Sequence, residues 1–195
     1  MSSMSNLFAD RVADADDVDG VEAVSARLVC MLGGSAEISD ETFSAADLLT
    51  AAGADPDDVW DWHRFGAWAV IPTNTEVRRD GSAVMGAGVA KAAAERFADL
   101  EMRYGRCLRD GRPFTAFTDL RLLLAPTKQR WRQPSTLEMV AEAAVRVRRW
   151  SDAHPAEGMI AVPAFGCGRG GLGWAVVEPV LRAQLSGPRF HICSP

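Results

Sequence analysis

The chain has 195 residues, of which 48% are hydrophobic and 24% charged, with a net charge of −5. That length suits one domain with a real core and is short for two. No stretch approaches the roughly 18–20 consecutive apolar residues that a membrane-spanning helix needs, and no membrane partner is expected. The start, Met1-Ser2-Ser3-Met4, lacks a basic region and runs into acidic residues, which argues against a secretory signal and for a cytoplasmic protein. Cys30, Cys107, Cys167 and Cys193 lie far apart with no CxxC pair. This pattern fits neither a zinc site nor a disulfide scaffold.

Charge is unevenly distributed. Residues 1–62 hold fourteen Asp or Glu against only Arg11 and Arg27, whereas residues 100–150 hold eleven Lys or Arg against five acids. Two readings stay open: an acidic tail plus helix-surface arginines, or a basic stretch that faces an anionic ligand.

Taken in chain order, residues 1–20 are acidic and poor in large apolar groups, which predicts little order. Residues 21–65 read as a helical extension. Within it, 25–32 (SARLVCML) is a short strand or helix that periodicity does not decide. Residues 43–52 form a helix stopped by Gly53. Asp55-Pro56-Asp57-Asp58 then looks like a helix start, with Asp55 as the cap and Pro56 in the first position. That helix carries Val59, Trp60, Trp62 and His63.

From residue 66 onward the pattern is βαβ-like. The apolar run 67–71 (AWAVI) predicts a buried strand, followed by Gly86-Ala87-Gly88 and one helix with Val89, Ala93, Phe97, Leu100 and Tyr104 at helical spacing. Residues 114–117 and 121–125 are further strands. Ser135-Thr136-Leu137-Glu138 is a capping-box pattern opening a helix to about Trp150. A strand at 159–162, a helix at 174–185 and a strand at 190–193 complete the chain. The expected fold class is α/β, with helices on both faces of a sheet.

Two glycine-rich loops each sit between a strand and a helix: Met85-Gly86-Ala87-Gly88-Val89, and 163–172 (PAFGCGRGGL). Glycine allows close backbone approach, and free N–H groups at a helix start favour an anion. Two such loops in one small domain point to a phosphate ligand. A classical dinucleotide fold is a poor fit despite GxGxxG at Gly166, Gly168 and Gly171. Only 24 residues follow Gly171, and no acid ends the next strand to hold a ribose. No Gly-Lys-Ser/Thr occurs, which excludes a Walker A loop.

Residues 70–90 (VIPTNTEVRRDGSAVMGAGVA), 125–135 (APTKQRWRQPS) and 162–174 (VPAFGCGRGGLGW) together resemble the macrodomain family. They are most similar to its subgroup of DNA ADP-ribosyl glycohydrolase antitoxins and terminal ADP-ribose protein glycohydrolases. The resemblance covers residues 66–195. It implies a three-layer α/β/α fold around a mixed, mostly parallel sheet, with ADP-ribose in a cleft between the glycine loops. It places Met85, Gly86, Ala87, Gly88 and Val89 along the diphosphate and distal ribose. Gly166, Cys167, Gly168, Arg169, Gly170 and Gly171 form the opposing phosphate loop. Lys128, preceded by Thr127, matches the subgroup's catalytic lysine, which attacks C1″ as an amine or stabilises charge as a cation. Trp131 and Arg132 brace this loop, and Asn74 matches the asparagine that holds the distal ribose.

Three departures accompany the resemblance. The Gly-Asp-Ile/Leu whose aspartate contacts adenine is not recognisable. The loop from Glu76 to Ser82 is long and charged. Gly170 stands where some relatives carry a catalytic aspartate, so Glu76 and Asp80 become candidate carboxylates. Cys167, near a helix start, is a candidate for a depressed thiol pKa. His63, His154 and His191 show no metal spacing. Trp60, Trp62 and Trp68 are either core or a cover for adenine.

The expectation is therefore a monomeric hydrolase that removes ADP-ribose from a modified DNA or protein, without metal or cofactor. The alternatives are a non-catalytic ADP-ribose reader and a phosphatase acting on ADP-ribose 1″-phosphate.

Overall fold

The structure is a computed structural model that describes residues 44–195. The acidic stretch 1–20, the segment 25–32 and all of the extension before residue 44 lie outside the described residues. The elements are α1 (Ala45–Ala51), α2 (Val59–Arg64), β1 (Trp68–Asn74), α3 (Gly88–Arg96), α4 (Leu100–Arg109), β2 (Thr115–Phe117), β3 (Leu122–Lys128), α5 (Leu137–Ala153), β4 (Ile160–Val162), α6 (Trp174–Gln184) and β5 (Phe190–Ile192).

Five strands form one sheet in the order β2-β3-β1-β4-β5. β3, β1, β4 and β5 run parallel, while the edge strand β2 pairs antiparallel with β3. Successive side chains of a strand point to opposite faces, and β1 is buried on both. Ala69 and Ile71 pack with Leu122, Leu124 and Ala161 beneath α1–α4, around Trp62, Leu100 and Tyr104. Trp68 and Val70 pack with Leu123, Ala125, Ile160 and Val162 against α5 and α6, through Val140, Ala144, Val147, Val177 and Leu181. Burying each such aliphatic side chain contributes about 1.5–3 kcal/mol. This arrangement is the three-layer α/β/α fold that the resemblance implies, with a mixed, mostly parallel sheet.

Several local expectations are corrected. The cap of α2 is Asp58, whose side chain accepts from Trp60 N. Asp55 instead bonds to Asp57 N at 2.9 Å, closing a turn around Pro56. The single helix expected after Gly88 is two helices, broken at Phe97–Asp99. Asp99 takes the left-handed conformation (φ 61), which Asp tolerates better than most residues. Helix α5 is capped by Thr136, which accepts from Met139 N, rather than by Ser135. Leu137, the first residue of that helix, is exposed.

Candidate functional site

Loops after three adjacent parallel strands gather at the carboxyl edge of the sheet, where open α/β folds place ligands. β1 runs on toward Gly86–Gly88 and α3; β3 ends on Lys128; β4 runs into the loop 163–171. They enclose a cavity of about 840 Å³. That falls in the range that holds a ligand of nucleotide size. Of the residues expected in the site, Asn74, Met85, Gly86, Ala87, Gly88, Val89, Thr127, Lys128, Gly166, Gly168, Arg169 and Gly170 line it. Cys167 and Gly171 do not.

The first loop presents donors by default. Helix α3 starts at Gly88 (φ 55) after Ala87, with no side-chain cap. The opening N–H groups of a helix have no intrahelical partner, so those of Gly88, Val89 and Ala90 remain available to an anion. A methyl group at Gly86 or Gly88 would meet nothing within 4 Å, so both glycines border open space.

The second loop is built differently. Gly166 (φ 71) turns the chain, Leu172 N bonds back to Gly166 O at 3.0 Å, and Gly170 O accepts from Ser135 N at 3.0 Å. Among the described residues, the N–H groups of Gly168, Arg169 and Gly170 donate no backbone hydrogen bond. A methyl group at Gly170 would sit 2.3 Å from Gly166 O and 2.5 Å from Ser135 Oγ. Position 170 therefore cannot carry a carboxylate unless the loop is rebuilt. Helix α6 begins only at Trp174, so the cavity is served by the loop itself rather than by that helix start.

Lys128 faces the second loop and donates from Nζ to Arg169 O at 3.2 Å. Burial, with a smaller contribution from the Arg169 charge, lowers its pKa. Asn74 lies opposite Lys128 in the strand register, after an irregularity between Thr73 and Asn74. Its side chain is engaged internally: Nδ2 donates to Val84 O at 2.8 Å and Oδ1 accepts from Glu76 N at 2.9 Å. Asn74 thus fixes both ends of the long charged loop.

Glu76 supplies the one carboxylate among the lining residues, against Arg78, Lys128, Arg132 and Arg169. Its Oε2 accepts from Trp131 N at 3.2 Å. Asp80 lies outside the lining; bonds from the Ser82 hydroxyl and amide lower its pKa. Arg78 donates to Ala83 O and pairs with Glu101, clamping the loop onto α4.

Only a small part of the basic stretch faces the cavity. Arg103, Arg112, Arg146 and Arg148 pair with acids on the surface, and within 100–150 only Lys128 and Arg132 are charged residues lining the cavity. The Cys167 thiol is pushed up by burial, the reverse of the depressed pKa expected of a nucleophile, and its Sγ donates weakly to Phe165 O. His63, His154 and His191 each bond a backbone carbonyl, and no group of three or more His, Cys, Asp or Glu suited to a metal occurs among the described residues. Trp62 and Trp68 are buried, Trp60 packs under Arg96, and none of the three lines the cavity.

Sequence reasoning missed Ser135 as a lining residue. It is buried, and its Oγ has no hydrogen-bond partner among the described residues. The only sequence signal was the capping pattern, which assigned that hydroxyl to the helix. It also missed Gly105, where a methyl group would meet Gly81 O at 2.1 Å, so only glycine lets the charged loop lie on α4.

No family model matches the chain. A DNA ADP-ribosyl transferase-DNA ADP-ribosyl glycohydrolase fusion protein of Thermosipho africanus is 39% identical over 67 residues, 33% of this chain and 16% of that protein. Among solved structures, the Thermus aquaticus DarG macrodomain superposes with a TM-score of 0.52 at 28% identity, covering 66% of this chain and 88% of that one. The Mycobacterium tuberculosis DarG macrodomain gives 0.52 at 25% identity, with 65% and 86% covered. The Thermosipho africanus DarTG complex with ADP-ribose gives 0.57 at 24% identity, with 67% of this chain and only 39% of that chain covered. The chain thus spans well under half of both Thermosipho proteins.

Proposed function

We infer that this DarG-like macrodomain binds ADP-ribose in the 840 Å³ cleft and hydrolyses its linkage to a modified macromolecule, DNA or protein. The observation that carries the reading is the convergence of two glycine loops on one cavity, with Lys128 between them. The uncapped start of α3 and the unbonded amides at 168–170 offer fixed donors for a diphosphate, which needs no rearrangement of the protein to meet charge. The basic lining complements two phosphate charges. The solved Thermosipho relative is described in complex with ADP-ribose, which agrees with this ligand.

In the reaction, the bond from C1″ to the leaving group breaks with its electron pair on the leaving atom, which takes a proton. Water, or Lys128 as a neutral amine followed by water, forms the new bond at C1″. A lowered lysine pKa increases the share of neutral amine, and the loops contribute by holding the distal ribose in position. In Lys128→Ala, release of ADP-ribose from modified DNA and protein should fall by about 100-fold or more, in the range of lost nucleophilic or acid–base help. Unchanged turnover would exclude the mechanism.

One observation favours a second reading, a non-catalytic reader: Gly170 has no room for a carboxylate. Calorimetric binding of ADP-ribose without release from any modified substrate would decide for it. Release of phosphate from ADP-ribose 1″-phosphate would instead mark a phosphatase.

A further inference from the structure

The cleft holds one charge that the binding of a diphosphate does not explain. Arg78, Arg132 and Arg169 line it as exposed side chains, whereas Glu76 and Lys128 line it half-buried. Like charges repel, so a carboxylate set beside two phosphates weakens their binding. The fold nonetheless holds Glu76 in place. Its backbone N–H donates to Asn74 Oδ1 at 2.9 Å, its carbonyl accepts from Val84 N at 3.1 Å, and its Oε2 accepts from Trp131 N at 3.2 Å. The ends of β1 and β3 run on side by side here. Asn74 is opposite Lys128 in the register, Thr75 N bonds Gln129 O, and Glu76 then reaches Trp131 N. The carboxylate and the amine thus come from neighbouring strand ends and line one cavity. Among the described residues they form no ion pair with each other, and Oε1 of Glu76 has no hydrogen-bond partner. Asp80, the other acid of this loop, is exposed, bonded to Ser82 and outside the lining.

We propose that Glu76 is the catalytic base that takes the proton from the water attacking C1″. The proposal rests on the hydrolysis of an ADP-ribosyl linkage inferred above. On either route through the site, a water oxygen forms a bond to C1″ and gives up a proton to the Glu76 carboxylate. The bond that breaks leaves its electron pair on the departing atom. On the direct route that atom belongs to the macromolecule and takes a proton from the Lys128 ammonium. On the other route it is Nζ of the Lys128 adduct, which leaves as the neutral amine. The proton on Glu76 then returns through solvent, to Lys128 in the first case and to the released group in the second. Lys128 cannot serve alone, because an ammonium that protonates the departing atom is not at the same moment a base for water. Glu76 is the acceptor the cavity offers for that proton, and Oε2 stays anchored while Oε1 is free to take it.

The test compares Glu76→Gln with the unsubstituted full chain. Glutamine keeps an oxygen for Trp131 N and removes the charge. Turnover is followed on a DNA oligonucleotide carrying ADP-ribose on a base and on a peptide carrying it on a glutamate. Affinity for free ADP-ribose is measured by calorimetry. Glu76→Gln should lower kcat about 100- to 10,000-fold on whichever substrate the chain turns over. It should bind ADP-ribose as tightly as the unsubstituted chain or more tightly, because a like charge has gone. Glu76→Ala should be as slow, and added formate, a small carboxylate, should restore part of its rate. Unchanged kcat in Glu76→Gln would overturn the proposal while hydrolysis stands. A loss of ADP-ribose affinity that matches the loss of rate, with no rescue by formate, would make Glu76 a structural anchor and overturn it as well. If the unsubstituted chain binds ADP-ribose but turns over neither substrate, hydrolysis and its base both fall and binding alone remains.

Discussion

Replacing Gly170 with alanine tests how the second loop is held. The new methyl group would lie 2.3 Å from Gly166 O, 2.5 Å from Ser135 Oγ and 2.6 Å from Gly166 Cα. Ordinary contacts between such atoms are about 3.5–4.0 Å, so the loop must open by more than 1 Å. It cannot simply slide, because Gly170 O is bonded to Ser135 N and Gly166 O to Leu172 N. Overpacking of this kind costs about 1–3 kcal/mol. For a domain of this size each kcal/mol lowers Tm by about 2–4 °C, giving a drop of about 2–12 °C by differential scanning fluorimetry. Opening the loop also moves the amides of 168–170 out of register. Losing one hydrogen bond to a charged group costs about 1.5–3 kcal/mol, so ADP-ribose affinity should fall tenfold or more by calorimetry. Gly168→Ala is the control for packing, since a methyl group there meets nothing within 4 Å and Tm should hold. A Gly170→Ala protein with unchanged Tm and a Kd within about twofold of the original would refute this account of the loop.

Three further outcomes follow from the site. Because burial and Arg169 lower the Lys128 pKa, any step that uses its neutral amine should rise with pH and level off below the ordinary lysine value of about 10.4. A pH–rate profile with no rise between neutrality and that value would contradict an amine nucleophile. Asn74→Ala removes the bonds to Val84 O and Glu76 N. It should cost about 1–3 kcal/mol in denaturant unfolding and weaken ADP-ribose binding, because the loop leading to Gly86 loses its anchor. Cys167 should alkylate slowly at neutral pH, since burial keeps it as the thiol; rapid iodoacetamide labelling with loss of turnover would reverse that conclusion.

The parts of the fold legible in the sequence were those with short-range causes. The buried runs in β1, β3 and β4 and the glycine loops carry local signals, and the macrodomain resemblance arranged them. What escaped depends on distant contacts. The break at Asp99 was hidden because Phe97, Leu100 and Tyr104 keep helical spacing across it. The cap moved from Asp55 to Asp58 because Pro56 lies in a turn whose carbonyl accepts from Trp62 and His191. Ser135 looked like a cap, and only the approach of Gly166 and Gly170 makes it part of the cavity wall. Asn74 looked like a ligand contact; it lines the cavity, and its amide also bonds its own loop, which only the folded position of Val84 and Glu76 reveals. The exposure of Trp131, expected to brace the loop, likewise required knowing where the rest of the chain lies.

The central claim, that loop amides at 88–90 and 168–170 meet on one diphosphate, is tested most directly by titrating the chain with ADP-ribose. Saturable heat with one site is the predicted result. At a hundredfold excess over Kd it should be accompanied by about 2.7 kcal/mol of stabilisation, a rise in Tm of several degrees. No heat together with no change in melting temperature would contradict the account.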